Sequence, residues 1–458
     1  MKLVVIGGDA AGMSAASQAR KRVGDDLDVV VFERGHFTSY SACGIPYWIG
    51  GLVEDHEALV ARTPEAHRQA GIDVRMRHEV VGIDLDRRRV VAHDLAAGGE
   101  VREDFDHLVY AAGAVPVAPP WARVQGGGVF GVQTLDDGKA IHRWLDADPV
   151  PRRAVVIGGG YIGVEMAEAM VNRGLDVTLL DKAPQPMSTV DPDMGARVRD
   201  AIAALDIDVR VGAHVEGLEM AGGRVRGVVT PDGTVPADIV VLGLGVRPNT
   251  ALAVDSGIPV GATGGLRTDL RMRVVGADGP IDGLWAAGDC VQTTHLVSGQ
   301  PVHVPLGTHA NKQGRVAGIN IGGGYATFPG VIGTAVTKVC RLEVARTGLT
   351  ELEAAAAGYA FVTATVESTS RAGYYPGAAV MVVKLIAEKR TGLLLGAQIV
   401  GRNEAAKRID ALAIALWNRM TVEEMTALDL SYAPPFSPVW DPVLIAARKA
   451  TDAVHAEG

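Results

Sequence analysis

An internal near-repeat constrains the fold of this chain more than any other feature. KLVVIGGDAAG occupies residues 2–12, and RAVVIGGGYIG occupies residues 153–163. In both copies a short apolar run enters a glycine-rich turn, and a helical pattern follows the turn. Because this order of strand, turn and helix is typical of a nucleotide-binding β-α-β unit, the sequence predicts two such units in one chain.

Each copy is completed by a second apolar run that ends in an acidic residue. DLDVVVFER ends its strand at Glu33, and LDVTLLDK ends its strand at Asp181. An acid about 20 residues after the glycines is positioned to accept a hydrogen bond from a ribose hydroxyl. Asp181 favours NADH, because a carboxylate repels the additional phosphate of NADPH, whereas the neighbouring Lys182 could hold that phosphate. NADH is therefore preferred, and NADPH stays open.

The two glycine-rich turns differ at one position. The second turn, residues 158–163, keeps all three glycines of the G-x-G-x-x-G pattern. The first turn keeps Gly7 and Gly12 but has Asp9 in place of the middle glycine. A carboxylate directed inward would repel a pyrophosphate, whereas one directed outward would leave the helix N-terminus free to bind it. We favour binding, since Glu33 and the β-α-β context support it.

Composition excludes several classes of protein. The chain has 458 residues, of which 48% are hydrophobic, so a disordered protein is excluded. Its 57 glycines without a collagen-like period indicate many tight turns or close approaches to a ligand. A net charge of −9 argues against a nucleic-acid partner, and an anionic ligand would need local basic groups.

The sequence predicts neither secretion nor a membrane span nor a metal. The apolar run after Met1 stops at Gly7, too early for a signal-peptide core, so we expect a cytoplasmic protein. The longest uncharged stretch, Ala317–Thr337, contains Asn320 and Pro329 and is poor material for a span. The three cysteines are far apart, which fits neither a disulfide framework nor a zinc site.

The later part of the chain carries weaker patterns. VVLGLGV at residues 240–246 and GLWAAGD at residues 283–289 fit later strands of the two nucleotide domains. After about Pro329, strand-like runs accompany helical patterns at residues 403–417 and 421–427. The predicted fold class is α/β, with two Rossmann-like (doubly wound) domains, one inserted in the other, and a C-terminal α+β domain. The predicted domains are residues 1–112 with 245–325, residues 113–244, and residues 326–458.

Cys43 lies in FTSYSACGIPYWIGG, among small polar residues. A thiol there could be exposed beside a ligand, and a helix N-terminus or a cation would lower its pKa and make it a nucleophile. Residue type alone favours a packing role, and we assign packing to Cys290 and Cys340. Because no second cysteine is near, redox chemistry at Cys43 would need a mixed disulfide or a sulfenic acid.

The helix after the first turn ends in the basic run Arg20-Lys21-Arg22. Cations at a helix C-terminus are explained by the helix dipole alone. The same side chains could instead dock a phosphate, and the residues leave both interpretations open.

Together, these motifs resemble the pyridine nucleotide-disulfide oxidoreductase family over essentially the whole chain. SYSACGIPY is similar to its single-cysteine branch, which contains coenzyme A-disulfide reductases, NADH oxidases, NADH peroxidases and persulfide reductases; the C-x4-C motif of the twin-cysteine branch is absent. The resemblance implies that residues 1–112 with 245–325 bind FAD, that residues 113–244 bind NADH or NADPH, and that residues 326–458 form the interface of a homodimer.

The resemblance also assigns site residues. Tyr161 gates the flavin face on which the nicotinamide stacks, Cys43 lies on the opposite face, and Asp289 meets the ribityl chain. Cofactor contacts are implied for Gly7, Gly12, Glu33, Arg34, Val80, Gly113, Gly158, Gly160, Tyr161, Ile162, Asp181, Gly245 and Asp289. Substrate contacts are implied for Ser14, Gln18, Lys21, Arg22, Ser39, Tyr374 and Phe436.

The C-terminal SYAPPFSPVWDP is similar to the segment that reaches the partner's flavin in this family. Tyr432 in it, with Tyr375 or Tyr374 of GYYPG, resembles the tyrosine pair that meets the substrate thiol in coenzyme A-disulfide reductases. Ordinary interface packing also explains these tyrosines. The implied catalytic residues are Cys43, Tyr375 and Tyr432, and which tyrosine of 374–375 faces the site stays open.

One departure separates the members of the branch. NADH peroxidases and oxidases of this type carry a histidine where this chain has Ala10 and Ala11, and the lack of an imidazole weakens the peroxidase hypothesis. Coenzyme A, with its 3′-phosphate and pyrophosphate, gives the basic run a ligand. We therefore predict a coenzyme A-disulfide reductase. The alternatives are an NADH oxidase or peroxidase, a persulfide reductase, a thiol-independent diaphorase and a flavin-based sensor.

Overall fold

The computed structural model describes residues 1–122 and 127–457. The first of these ranges contains β1 (Lys2–Ile6), α1 (Ala10–Val23), β2 (Asp28–Glu33), α2 (Ile45–Ile49), α3 (Pro64–Gln69), β3 (Asp73–Met76), β4 (His78–Asp84), β5 (Arg89–Asp94), β6 (Glu100–Asp104), β7 (His107–Tyr110) and β8 (Ala114–Pro116). Residues 127–244 contain β9 (Val129–Gly131), α4 (Leu135–Leu145), β10 (Arg153–Ile157), α5 (Tyr161–Asn172), β11 (Asp176–Asp181), α6 (Pro192–Ala203), β12 (Asp208–Val211), β13 (Gly217–Ala221), β14 (Arg224–Thr230), β15 (Gly233–Pro236) and β16 (Ile239–Leu242).

The chain continues with β17 (Val246–Pro248), α7 (Ala251–Asp255), β18 (Leu266–Arg267), β19 (Arg273–Val275), β20 (Pro280–Ala286), β21 (Val291–Thr294), β22 (Pro301–Val302) and α8 (Gly307–Ile321). The last part contains β23 (Ala335–Val339), β24 (Leu342–Gly348), α9 (Glu351–Ala356), β25 (Phe361–Thr369), β26 (Val380–Glu388), β27 (Leu394–Gly401), α10 (Ile409–Trp417), α11 (Val422–Met425) and α12 (Pro442–Glu457).

The first parallel sheet combines strands from two distant parts of the chain. Its order is β19-β20-β7-β1-β2-β3, and β1 pairs in parallel with β2 and β7. Leu3, Val4 and Val5 are fully buried, as expected for a parallel strand that is covered on both faces. Strands from before residue 113 and after residue 244 therefore share one sheet.

The second parallel sheet has the order β12-β11-β10-β16-β9. β10 pairs in parallel with β11 and β16, which repeats the arrangement of β1 with β2 and β7. The two β-α-β units indicated by the sequence repeat are thus present, one in each sheet, and the predicted α/β class is confirmed. The domain limits drawn from the sequence stay predictions.

Helices α1 and α8 approach each other closely. A Cβ atom at Gly314 of α8 would lie 2.1 Å from the backbone oxygen of Ala11, and one at Gly318 would lie 2.4 Å from that of Ala15. Only glycine permits this distance. The contact brings the exposed face of α8 next to that of α1, and a cleft opens between these two faces.

The C-terminal part is a five-stranded antiparallel sheet, β23-β24-β27-β26-β25, with helices α10, α11 and α12. The helical pattern predicted at residues 403–417 begins later, at Ile409, because Asn403 and Glu404 have φ angles of 55° and 69°. This left-handed backbone interrupts a right-handed helix. The α+β character predicted for this region is confirmed.

One hydrophobic core joins the three regions around α2. Ile45, Trp48 and Ile49 of α2 pack in the same cluster as Met166 of α5 and Val344 of β24. The residues directly before α2 are therefore held where the second sheet and the C-terminal domain meet. Across the described ranges, no helix has the length and apolar character needed to cross a bilayer.

Candidate active site

The first glycine-rich turn is built so that glycine is required at two positions. Gly7 has a φ angle of 101°, and a Cβ atom there would lie 2.2 Å from the oxygen of Ala111. A Cβ atom at Gly12 would lie 1.9 Å from the oxygen of Gly7. The turn therefore places the N-terminus of α1 close to the ends of β1 and β7. No side chain caps that N-terminus. Free amides at such a position bind phosphate.

Asp9 directly precedes α1, and its side chain is hydrogen-bonded to a residue outside the turn. Its Oδ1 accepts from the backbone amide of Tyr40 at 3.2 Å. The pKa of Asp9 is raised to about 6, first by burial and then by the neighbouring carboxylates of Glu33 and Asp289. The carboxyl is thus tied to the segment that carries Cys43, and its neutral form is accessible near neutral pH, which reduces repulsion of a pyrophosphate.

Glu33 and Asp181 have matching positions at the ends of β2 and β11. Glu33 accepts from the backbone amide of Gly8 at 2.8 Å. Asp181 accepts from that of Gly159 at 2.9 Å. Both carboxylates are thereby held at the end of a parallel strand, beside the uncapped N-terminus of the preceding helix, α1 for Glu33 and α5 for Asp181. This is the arrangement that holds a ribose and a pyrophosphate.

Gly160 differs from the other fingerprint glycines, because a Cβ atom there would meet nothing within 4 Å. The backbone at the N-terminus of α5 therefore faces open space that a side chain would fill. Tyr161 and Ile162 follow as the first residues of α5, and Tyr161 is half-buried.

Cys43 lies in a short turn, Ala42–Gly44, that leads into α2, and it is exposed. The pKa of its thiol is raised, first by partial burial and then by the carboxylates of Glu165 and Asp289. This direction is opposite to the lowered pKa expected of a nucleophilic cysteine, and a neutral thiol therefore predominates near neutral pH.

Glu165 is a feature of the site that sequence reasoning missed. It lies on α5 four residues after Tyr161, so both side chains are on one face of the helix. Its Oε1 accepts from the hydroxyl of Thr337 in the C-terminal domain at 2.6 Å. Burial raises the pKa of Glu165, and the nearby Glu168 adds to the effect. The spacing in YIGVE was a signal that could have found it.

A basic cleft of about 880 Å³ opens between α1, α8 and the segment around α3. Its lining contains Ser14, Ser17, Gln18, Arg20, Lys21, Asp25, Arg62, Arg68, Gln69, Ala70, Gly71, Ile72, Asn311, Lys312 and Arg315. Arg20 is paired with Asp25 at 2.5 Å, and Arg68 lies 3.3 Å from Glu65. No such pair is described for Lys21, Arg62, Lys312 and Arg315. The cleft therefore offers several free cations to an anionic ligand.

The cleft is connected to the Cys43 segment by backbone pairing. The amide of Ala61 donates to the oxygen of Ser39 and that of Ser41 donates to the oxygen of Leu59, both at 2.8 Å. Arg62, the residue after Ala61, lines the cleft. Ser39 has a φ angle of 51°, and its Oγ lies 2.9 Å from Nε2 of the buried His67. The wall of the cleft at Arg62 is thus continuous with the strand pairing that holds the segment before Cys43.

Comparison with known proteins agrees with this geometry. Residues 1–314 match the model of the pyridine nucleotide-disulphide oxidoreductase family, and residues 334–442 match the model of that family's dimerisation domain. The chain belongs to this family.

Relatives of the family cover nearly the whole chain. The NAD(P)H coenzyme A polysulfide/persulfide reductase of Pyrococcus horikoshii is 38% identical over 98% of both chains. The coenzyme A disulfide reductase of Staphylococcus epidermidis is 28% identical over 98% of this chain and 99% of its own. The solved structure of an NAD-dependent persulfide reductase from A. fulgidus covers 100% of this chain and 84% of its own, at 37% identity and a TM-score of 0.95.

Family membership makes the protein an NAD(P)H oxidoreductase that uses FAD. The residues fit these cofactors, since two uncapped helix ends, two glycine turns and two strand-end acids are present. Asp289 is half-buried with a pKa raised by burial. Gly113 and Gly245 have φ angles of 68° and 82°, with open space where a Cβ would be.

Other assigned residues are placed less directly. Val80 is buried in β4, and the exposed Arg34 lies 3.9 Å from Glu79. Ser14, Gln18 and Lys21 line the basic cleft. Arg22 does not: it lies beside Gly322 and Gly324, after the C-terminal end of α8. The cleft cations at positions 62, 68, 312 and 315 were missed, because they are far apart in the sequence.

Three of the assigned C-terminal aromatic residues, Tyr374, Tyr432 and Phe436, are exposed in the chain. Tyr374 and Tyr432 are side by side, and the pKa of Tyr374 is raised by desolvation and by its neighbour Tyr432. Tyr375 is half-buried. Phe436 is exposed, while its backbone oxygen accepts from the Arg408 guanidinium at 2.6 Å. The structure thus pairs Tyr374, rather than Tyr375, with Tyr432.

Proposed function

We propose that the protein reduces sulfur–sulfur bonds of coenzyme A compounds with electrons from NAD(P)H, and that Cys43 is the reacting thiol. The observation that carries the proposal is the basic cleft, whose lining residue Arg62 directly follows Ala61, the hydrogen-bond partner of Ser39 in the Cys43 segment. Coenzyme A presents a 3′-phosphate and a pyrophosphate at one end and a sulfur at the other. We propose that the cleft binds the phosphates and that Cys43 reacts with the sulfur.

The cleft binds phosphate through charge and hydrogen bonds. Lys21, Arg62, Lys312 and Arg315 supply cations, and guanidinium groups bind phosphate in a bidentate manner. Ser14 and Asn311 are hydrogen-bonded to each other at 2.7 Å at the same wall and add polar contacts. We propose Ser14, Gln18, Lys21 and Ser39 as substrate contacts, and we replace Arg22 with the cations of α8.

The reaction begins at Cys43. The Cys43 thiol first loses its proton, and the resulting thiolate attacks one sulfur of the substrate. A Cys43–sulfur bond forms, the substrate sulfur–sulfur bond breaks, and the departing thiolate takes up a proton. When bound, FAD supplies the relay that passes the electron pair of NAD(P)H to the mixed disulfide. Cys43 then leaves as a thiolate and the second coenzyme A is released. Two electrons and two protons convert one coenzyme A disulfide into two thiols.

The proton donors we propose are Tyr432 and Tyr374 of the partner subunit. The raised pKa of Tyr374 keeps that phenol protonated at neutral pH, as a proton donor requires. Tyr374, Tyr432, Phe436 and Trp440 are exposed in the chain, which suits a surface that closes against a second copy. The match to a dimerisation domain supports a homodimer in which both subunits complete each site.

A persulfide is the second candidate substrate. The relative named as a coenzyme A polysulfide/persulfide reductase is more similar to this chain than the coenzyme A disulfide reductase, at 38% against 28% identity. The same residues would reduce a coenzyme A persulfide to coenzyme A and sulfide. A cytoplasmic location, where thiols stay reduced, suits either substrate.

The test is anaerobic oxidation of NADH by Cys43→Ser, with Cys340→Ser as the matched control. We expect Cys43→Ser to retain bound flavin and to lose turnover of coenzyme A disulfide and persulfide by more than about a thousandfold, since the mixed disulfide cannot form. Cys340→Ser should keep turnover. Full activity of Cys43→Ser would contradict the mechanism and favour a diaphorase.

A second experiment tests the cleft. Lys312→Ala with Arg315→Ala should raise KM for coenzyme A disulfide about tenfold or more, because charge-assisted contacts to phosphate are lost. Pantethine, a disulfide without the nucleotide, should be unaffected. Arg143→Ala, an exposed cation on α4 outside the cleft, is the control. Equal effects on both substrates would place coenzyme A elsewhere.

A further inference from the structure

The segment Pro186–Asp191, which follows β11, packs directly against the second fingerprint. The amide of Met187 donates to the oxygen of Gly159 at 2.7 Å. A Cβ atom at Gly159 would lie 3.1 Å from Cα of Pro186, so the two backbones are in close contact. Met187 is fully buried and has a φ angle of 55°. Strain of this kind persists only where the surroundings hold it.

The same segment supports Tyr161. Thr189 lies beside the Tyr161 phenol, although the two hydroxyls do not form a hydrogen bond of good geometry. The Thr189 hydroxyl is buried without a partner among the described residues. Arg346 also acts on the Tyr161 phenol by its charge. Tyr161 therefore lies against a segment whose Thr189 hydroxyl has no hydrogen-bond partner in the described part of the chain. A shift of that segment would move the Tyr161 side chain.

The C-terminal domain holds the segment at Thr189 through Arg346 of β24. The guanidinium of Arg346 donates to the oxygens of Thr189 and Gly348, both at 2.7 Å. It also donates to Oε2 of Glu353 at 2.6 Å. The Arg346 side chain is only 11% exposed. A planar guanidinium with both terminal nitrogens occupied fixes direction as well as distance.

Lys384 and Gln398 hold the C-terminal end of the segment at Asp191. The Asp191 amide donates to Oε1 of Gln398 at 2.7 Å, and Nε2 of Gln398 donates to Oδ2 of Asp191 at 2.6 Å. Nζ of Lys384, 4% exposed, lies 3.1 Å from Asp191, 2.8 Å from Asp193 and 2.6 Å from Glu351. Buried charges carry a desolvation cost, so such a cluster contributes one defined geometry more than it contributes stability.

We propose that the C-terminal domain positions the dinucleotide site, with Arg346, Lys384 and Gln398 fixing the Pro186–Asp191 segment against Gly159 and Tyr161. These three are positioning residues, because they act through the segment and not on the dinucleotide. The inference rests on the second fingerprint as the NAD(P)H site. It is independent of Cys43 and of the electron acceptor, so it stands or falls separately from the coenzyme A proposal.

The experiment compares Arg346→Met and Arg346→Lys with the parent holoenzyme. Hydrogen exchange at the amides of residues 187–191 reports on the segment, and calorimetric titration with NAD⁺ reports on the site. We expect faster exchange and about tenfold weaker NAD⁺ binding in Arg346→Met, the loss typical of a charge-assisted hydrogen bond. Arg346→Lys should fall between, since lysine keeps the charge and loses the fork.

Two further variants distinguish positioning of the Pro186–Asp191 segment from a general loss of contact between the dinucleotide-binding region and the C-terminal domain. Gln398→Leu removes both hydrogen bonds to Asp191 while every charge stays paired, and it should also speed exchange and weaken NAD⁺ binding. Arg197→Met removes an exposed ion pair to Glu367, 3.6 Å long, that joins α6 to the same domain without touching the segment. It should change neither quantity.

Three results would overturn the inference. The first is exchange and NAD⁺ affinity within about twofold of the parent in both Arg346→Met and Gln398→Leu. The second is faster exchange with unchanged affinity, which would show that the segment is held but does not position the site. The third is an equal effect of Arg197→Met.

Discussion

The two glycine-rich turns share one local design and differ in their surroundings. In the first, the amide of Gly7 donates to Phe32 at 2.9 Å, and in the second, that of Gly158 donates to Leu180 at 2.7 Å. A Cβ atom at Gly163 would lie 1.8 Å from the oxygen of Gly158, which repeats the contact made by Gly12. The repeated sequence therefore produces the same backbone twice.

Their neighbours separate the two turns. Helix α1 packs against α8, where the basic cleft opens, whereas α5 packs against α2 and the C-terminal domain. Asp9 bonds to the Cys43 segment, and the matching Gly160 faces open space. Identical local designs thus serve different partners, because packing around the helix decides what the turn can meet.

The largest expected effects come from Gly7→Ala and Gly158→Ala. Each places a Cβ atom about 2 Å from a backbone oxygen at a positive φ angle, so the turn must move. We expect Gly7→Ala to lose FAD on gel filtration. Gly158→Ala should keep flavin absorbance and lose reduction by NADH by more than about a hundredfold. If either variant loses both functions, the two turns are not independent.

The second prediction exchanges the residues at the middle-glycine position of the two turns, Asp9 in the first and Gly160 in the second. Gly160→Asp should weaken NAD⁺ binding about thirtyfold at pH 7, because a carboxylate enters space next to a pyrophosphate. Asp9→Gly should change FAD affinity only about threefold, since the native carboxyl is already bonded to Tyr40. Fluorescence titration measures both. A large gain of FAD affinity in Asp9→Gly would show that Asp9 opposes the phosphate after all.

The raised pKa of Asp9 adds a pH dependence to the same site. With a pKa of about 6, the carboxyl gains charge as pH rises through that value, so FAD affinity should fall from pH 5 to pH 7. Asp9→Asn should flatten this part of the profile. Glu33 and Asp289 also face Asp9 and remain in both proteins, which makes Asp9→Asn the matched control. A profile that is identical in both would assign the dependence to those acids.

The strand-end acid of the second turn should affect the choice of dinucleotide about tenfold. Asp181→Asn removes the charge that repels the 2′-phosphate, so the ratio of kcat/KM for NADPH to that for NADH should rise. Glu33→Gln, the same change at the first turn, should leave the ratio unaltered. Equal ratios in the parent and Asp181→Asn would indicate that Lys182, and not Asp181, determines the preference between NADH and NADPH.

The smallest effect concerns Cys43, which faces α5. Glu165→Gln removes a negative charge that raises the thiol pKa, so alkylation of Cys43 by iodoacetamide at pH 7.5 should be about threefold faster. Glu168→Gln, one turn along α5 beside Cys340, should leave the rate unchanged. Mass spectrometry of the modified peptide measures the rate. No change with Glu165→Gln would mean that burial alone sets the pKa.

Local patterns predicted much of the nucleotide sites. Gly7, Gly12, Glu33, Gly158 and Asp181 occupy the turns and strand ends expected from the spacing, because a β-α-β unit is closed within about thirty residues. Tyr374 could not be separated from Tyr375 in the same way. Adjacent residues differ in orientation only once the loop conformation is known.

Contacts between distant parts of the chain were not predictable from spacing. Arg62 and Lys312 come together only because glycines of α8 allow it to approach α1. Glu165 reaches the Cys43 region because α5 packs against α2, and Arg346 reaches Thr189 through packing of the C-terminal domain. Each contact joins residues more than a hundred positions apart.

The sequence by itself determined the two nucleotide-binding units, the α/β class and the family, because short-range periodicity and glycine spacing encode them, and it singled out Cys43 as a candidate thiol. Only the tertiary structure decided which cations form the cleft, which tyrosine pairs with Tyr432, where Asp9 points and what surrounds Cys43. The physical reason is that charge, burial and hydrogen bonding at a site depend on neighbours in space, and close packing assembles those neighbours from segments with no common sequence pattern.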